Sequence, residues 1–297
     1  MLDMKKERLS TALFFILILF FGCTNIEKQE LNKGKSAFDK KDYKTAIEYF
    51  KKALKENYQN SEAYLLIGRA YLEMEGDNYN SAIDYLNKSL KYKPDNPEAL
   101  VYLGDAHQQR YSNIININEF FKLLERGMMP VSEKAIEFYQ KAININPNFA
   151  LPYYRLGATY GFRKNELDEG IKFYKKGISM NDNYTRIYLN LGELYYRKGD
   201  IDEAINYIKR EINRDPALLD SYFKIAYCYI NKKDYNTAIN YLEMLSQRNP
   251  NYEGLHYAFG ISYQNIDKTK SIEYMKIAAR LGDSNAKDWL KKQKLSW

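Results

Sequence analysis

The chain repeats itself. Residues 185–218 read TRIYLNLGELYYRKGDIDEAINYIKREINRDPAL, and stretches of the same pattern and nearly the same length recur from about residue 27 to the C-terminus. A fixed period of about 34 residues leaves few architectures open, because one such unit cannot bury its own apolar face and must stack on its neighbours. Within this unit Tyr188, Leu191, Leu194 and Tyr195 recur at helical spacing. Gly199-Asp200 then ends the helix, since glycine tolerates the left-handed backbone at which helices stop. A second helix carries Ile201, Ala204, Ile205, Ile208 and Ile212, and Pro216 follows it. Gly192 and Ala204 are small where the two helices must approach; Tyr195 and Ile208 fill the space beside them.

This arrangement of small, bulky and proline residues resembles the tetratricopeptide repeat (TPR), a helix-turn-helix unit. The resemblance implies an all-α, right-handed superhelical solenoid of about seven repeats with a C-terminal capping helix. The repeats read as about 27–60, 61–96, 97–149, 150–184, 185–218, 219–252 and 253–283, with a cap over 284–294. Gly34, Gly68, Gly104, Gly157 and Gly260 hold the small place of the first helix elsewhere, and Ala46, Ala82, Ala135 and Ala238 that of the second. In the third repeat Asn96 is the expected N-cap and Pro97 the first helical residue. That repeat carries an insert over 112–131, in which Ile114, Ile117, Phe120, Phe121 and Leu124 fit one face of an extra helix ending at Gly127. Inserts of this kind often project and bind; the apolar face here favours an extra helix packed on its own repeat. In the fourth repeat Gly170 and Gly177 replace alanine, which is expected to weaken the second helix and to allow a bend. In the cap, Ala286, Trp289 and Leu290 share one side.

The N-terminus differs from all of this. Lys5, Lys6 and Arg8 precede an apolar run over 11–21 that is too short to span a bilayer and has the length of a signal-peptide core. It ends in Phe20-Phe21-Gly22-Cys23, which resembles the lipobox of bacterial lipoproteins. The resemblance implies a leader over 1–22, lipidation of Cys23 and a short tether over 23–26. An ordinary cleaved signal and an uncleaved anchor remain the alternatives. In that family an Asp after the cysteine often retains the protein in the inner membrane. Thr24 stands there instead, which leans toward the outer membrane of a bacterial envelope.

The rest of the composition mainly excludes. The net charge of +7 comes from interspersed signs, unlike the basic stripe of a nucleic-acid binder, so no nucleic acid is expected as partner. Two cysteines, Cys23 and Cys228, make no disulfide framework. His107 and His256, the two histidines, have no metal-ligand spacing and read as packing residues. No phosphate loop, nucleophile elbow or HExxH occurs, and the acids read as solvent-facing. No catalytic residue, metal or cofactor is therefore assigned, and an enzyme is not expected. The 29 tyrosines fit either biased composition or selection for an adhesive surface.

In the family the first helix of each repeat lines a concave groove. At its inward places this chain offers Tyr154, Phe162, Tyr196, Phe223, Tyr227 and Tyr257, and aromatic anchors dominate many interfaces. The lysine and asparagine with which some members grip a terminal carboxylate are absent. The resemblance implies a membrane-anchored scaffold whose groove holds a peptide or helix of a protein partner, as similar lipoproteins do in assembling envelope proteins or pili. Glycan binding, or service as an accessory subunit of an envelope enzyme complex, are the other readings.

Overall fold

A computed structural model describes residues 26–297. The leader, Cys23 and most of the tether lie outside the described residues. Every regular element among those described is helical. Helix α1 covers 26–39. It is followed by α2 (Tyr43–Glu56), α3 (Ser61–Glu73), α4 (Tyr79–Tyr92), α5 (Pro97–Ile114), α6 (Ile117–Glu125), α7 (Glu133–Ile145) and α8 (Ala150–Ala158). A π turn spans Thr159–Arg163, and α9 (Leu167–Ile178), α10 (Ile187–Lys198), α11 (Ile201–Arg214), α12 (Leu219–Asn231), α13 (Tyr235–Arg248), α14 (Leu255–Tyr263), α15 (Lys268–Arg280) and α16 (Ser284–Lys292) complete the chain. No described helix is long and apolar enough to cross a membrane. The chain divides into two compact units, one through Thr159 and one from Tyr160 to Trp297.

In the first unit helices pack in consecutive pairs, and the glycines show why. A Cβ on Gly34, Gly68 or Gly104 would fall 2.3, 2.6 or 2.5 Å from Phe50, Leu86 or Tyr139 of the partner helix. Phe50 and Leu86 are fully buried in those gaps, each stabilising by about 1.5–3 kcal/mol. The expected cap is present: Asn96 accepts from the Glu98 and Ala99 amides, with Pro97 opening α5. Asp42 and Asn60 cap α2 and α3 in the same way, accepting from the Thr45 and Ala63 amides.

The insert departs from expectation. The helix α6 forms, but none of its residues is buried. Ile114, Ile117, Phe121 and Leu124 are 60, 60, 56 and 42% exposed, so the helix is not packed on its own repeat. The reason lies in α5, where buried Gln108 donates to the Pro130 carbonyl and accepts from the Ser132 amide, both at 3.0 Å. The returning segment, with Pro130 and Ser132 buried, takes the place beside Gln108. The side-chain tether of α6 is polar, the Tyr111 hydroxyl of α5 donating to Glu119, while Asn113 ties the end of α5 to Asp77.

In the second unit α10 pairs with α11, α12 with α13 and α14 with α15. Gly192 faces Ile208 and Gly260 faces Met275, each too close for an added Cβ. The cap helix α16 covers Met275, Ala278 and Ala279 with Ala286 and Leu290. It stops at Lys292, because Lys294 turns into the left-handed region and Leu295 folds back on the Leu290 carbonyl.

Two further expectations are corrected here. The irregularity of the fourth repeat lies in its first helix, as the π turn, and its second helix α9 is regular. Gly170 is required rather than weakening: a Cβ there would lie 2.6 Å from the Gly161 Cα and 2.7 Å from its nitrogen. The acids are also not all solvent-facing. Glu211 is fully buried, and its carboxylate accepts from the Tyr188 and Leu189 amides at 2.9 and 3.2 Å. It thereby caps α10, whose preceding residue Arg186 sits at φ 65° and offers no side-chain cap.

The tyrosines are organised as stacks. A second-helix aromatic lies against a first-helix aromatic in pair after pair. In the first unit these are Tyr85 on Tyr71 (5.7 Å between centroids) and Phe138 on His107 (5.4 Å). In the second they are Phe173 on Tyr160 (5.4 Å), Tyr207 on Tyr195 (5.5 Å), Tyr241 on Tyr229 (5.7 Å) and Tyr274 on Tyr263 (5.6 Å). Lys175 and Lys209 reach from one helix pair over Tyr195 and Tyr229 of the next. Offset stacking and the cation above it stabilise each contact by about 0.5–1.5 kcal/mol.

Candidate functional site

Tyr154 belongs to the first unit and is only 5% exposed. It is a core residue of α8, and its burial corrects its place among the surface anchors. The other five aromatics lie in the second unit. Phe162 follows the π turn's glycine, packs edge-on against Tyr174 at 6.5 Å and lies under the Arg197 guanidinium at 5.8 Å. Its faces are thus engaged within the fold.

Tyr196 on α10 and Phe223 and Tyr227 on α12 come together. With Glu193, Ile208, Lys224 and Cys228 they line a cavity of about 140 Å³. The convergence follows from helix pairing. Successive first helices α10 and α12 present the same face, and buried Ile208 of α11 and Cys228 of α12 close the base. Phe223 stands edge-on to Tyr227 at 4.9 Å, which holds both rings in place. The Lys224 ammonium pairs with Glu193 at 2.8 Å at the mouth. Burial pushes the Tyr227 hydroxyl up to about 12, and the neighbouring Tyr257, Asp283 and Tyr196 add to the shift. It therefore stays a neutral donor. Burial likewise pushes the Cys228 thiol up to about 12, which leaves it a packing residue rather than a nucleophile.

Tyr257 lines a second, larger cleft of about 570 Å³, formed where the start of α14 meets the α15–α16 turn. Tyr252, Glu253, His256 and Asp283 border it too. Phe223, whose ring lies 5.1 Å from that of Tyr252, stands between the two clefts. Sequence reasoning missed Tyr252 and Lys224 as part of this surface. Tyr252 sits in a turn, outside the helical register that identified the others, and its place depends on its hydrogen bond to Asp220 at 2.6 Å. The two histidines are packed, His107 on Phe138 and His256 on Tyr274 at 6.1 Å. No cluster of metal-ligating side chains occurs among the described residues.

Paired helices joined by short turns, with an aromatic cleft on successive first helices, define an all-α repeat protein of the solenoid class. Tetratricopeptide repeats are found within it. Family models described as tetratricopeptide repeat match residues 37–77 and 61–96, and one described as TPR repeat matches 132–161. A model described as anaphase-promoting complex, cyclosome, subunit 3 matches residues 163–245. Among solved structures, pilF of Pseudomonas aeruginosa is similar at 17% identity over 78% of this chain and 97% of its own, with a TM-score of 0.61. A thermophilic TPR protein of Thermus thermophilus is similar at 24% identity over 69% and 99%, with a TM-score of 0.55. YrrB, described as a TPR protein with an unusual peptide-binding site, is similar at 18% identity over 70% and 97%, also at 0.55. These likenesses show the fold. A search of curated proteins finds no match. Repeats of this family generally serve as non-catalytic scaffolds for protein partners.

Proposed function

We propose that the protein is a non-catalytic scaffold, exported and lipid-anchored through Cys23, that holds an extended segment of a partner protein on the aromatic face of its second unit. The observation that carries this reading is the cavity shared by Tyr196, Phe223 and Tyr227. It is of a size for one apolar side chain, it is walled by rings held rigid against one another, and it lies on consecutive first helices. Rigid aromatic pockets of this kind concentrate binding energy in few residues. The peptide-binding site named for YrrB supports the mode of binding. A role in envelope assembly draws support from PilW, a fold neighbour described as a widely conserved type IV pilus biogenesis factor, at 19% identity and a TM-score of 0.58.

The test replaces Tyr196 or Tyr227 with a photo-crosslinking residue in cells and compares the captured proteins with those of a Tyr196→Ala/Tyr227→Ala double variant by pull-down. Partners captured at both sites and lost from the folded double variant are expected. An unchanged set of partners would remove the groove reading. Labelling with radioactive palmitate, expected for the parent chain and absent in Cys23→Ala, tests the anchor separately.

A further inference from the structure

The two clefts of the second unit differ in chemistry and share a border, and together they describe a ligand more fully than either does alone. The smaller is lined by rings and aliphatic carbon, and its two charged residues, Glu193 and Lys224, neutralise each other. The larger holds the acids Glu253 and Asp283, and no lysine or arginine among the described residues lines it. In a chain of net charge +7 that is a local reversal of sign. One oxygen of Asp283 accepts from the Ala286 amide at 2.9 Å, which fixes the carboxylate at the start of α16. His256 adds no positive charge at neutral pH, since burial lowers its basicity. Tyr257 and Tyr252 supply ring surface beside the acids, a setting that favours cations. Phe223 lines the smaller cleft and Tyr252 the larger, and their rings lie 5.1 Å apart, so a short stretch of extended chain reaches from one cleft to the other.

We infer that the partner segment carries a large apolar side chain, seated between Tyr196, Phe223 and Tyr227, and a lysine or arginine a few residues away, seated beside Glu253, Asp283 and Tyr257. This rests on the groove reading above and adds to it a sign of charge and an order along the chain. A partner terminus held by its carboxylate would meet the wrong charge in the larger cleft.

The test uses the full chain in detergent and an array of synthetic nonapeptides. Each peptide carries one Leu or Phe, or Ser in its place as the apolar control, and, one to five residues away on either side, one Lys, Arg, Ala or Glu. Peptides pairing the apolar residue with Lys or Arg are expected to bind about tenfold more tightly than their Glu counterparts, about the size of two partly exposed ion pairs and their reversal. In Glu253→Gln/Asp283→Asn this discrimination is expected to vanish while the selection for Leu or Phe persists. The amide introduced by Asp283→Asn keeps an oxygen for the helix cap, so folding is retained, and circular dichroism checks it. Equal binding of Lys and Glu peptides, or a preference that survives in the neutralised variant, overturns the inference and leaves the groove reading standing. Apolar selection that survives in Tyr196→Ala/Tyr227→Ala removes the groove reading itself. A parent chain that binds none of the peptides overturns both.

Discussion

At the scale of single residues, the telling side chain is Glu211. A helix start leaves several amides without partners, and a local Ser, Asp or Asn usually meets them. For α10 that local solution is missing, because Arg186 precedes it in a left-handed conformation. Glu211 supplies the acceptor from the neighbouring helix, and Arg214 offsets its charge while also donating to the Asp182 and Tyr184 carbonyls. Removing the carboxylate leaves buried amides unsatisfied, which costs about 1–3 kcal/mol per group. Glu211→Ala should therefore lower the unfolding free energy by about 2–3 kcal/mol in urea titration. Glu211→Gln, which retains one acceptor oxygen, should lose clearly less. Equal losses would mean that packing rather than capping is the cause. The ion pairs between successive first helices, Lys35–Glu62, Arg69–Glu98 and Glu193–Lys224, are partly exposed and contribute much less.

At the scale of elements, the π turn and α9 make one unit of packing. A π turn accommodates one residue more than a regular helix does, and here it brings Gly161 against α9. Helix propensity alone says that Gly170→Ala should stabilise by up to about 1 kcal/mol. The geometry says the opposite, since the new methyl would meet backbone atoms at 2.6 and 2.7 Å, and backbone cannot rotate aside. A loss of about 1–3 kcal/mol is expected. Thermal unfolding decides the sign, and a rise in melting temperature would refute the close approach. The aromatic stacks belong to this scale too. They repeat because each helix pair supplies one partner from each helix, which gives nine of the chain's 29 tyrosines a packing role.

At the scale of the whole molecule, each unit contains one packed histidine. His107 is made less basic by burial and then by Lys134 and Arg110, and His256 by burial. Both folded values lie below the ordinary 6.5. As the pH falls below 6.5, the unfolded chain takes up protons that the folded chain does not, so stability declines through that window and levels off once the folded histidines also protonate. Denaturant titrations at a series of pH values should show this decline. It should be shallower in His107→Phe/His256→Phe, which keeps both ring stacks and removes both titrations. An unchanged slope would place the pH dependence elsewhere.

The helix pairs could be read from the chain because their signals are local. A period of apolar residues, a glycine where a partner ring must fit, Asn96 before Pro97 and Gly199 after α10 each act within a few residues of themselves. The all-α fold and the cap helix follow from that periodicity; the aromatic residues of the smaller cleft came from the resemblance to the repeat family. What escaped it depends on residues distant in sequence. The return segment, by occupying the side of α5 beside Gln108, leaves the apolar face of α6 in water. Glu211 became a cap because α10 lacked its own. Tyr154 is buried, whereas Phe223 and Tyr257, also on first helices, stay partly exposed. Tyr252 joined the second cleft through Asp220, which lies 32 residues earlier in the chain. Periodicity states which residues face inward along one helix; which of them another segment covers is set only when the elements compete for the same space.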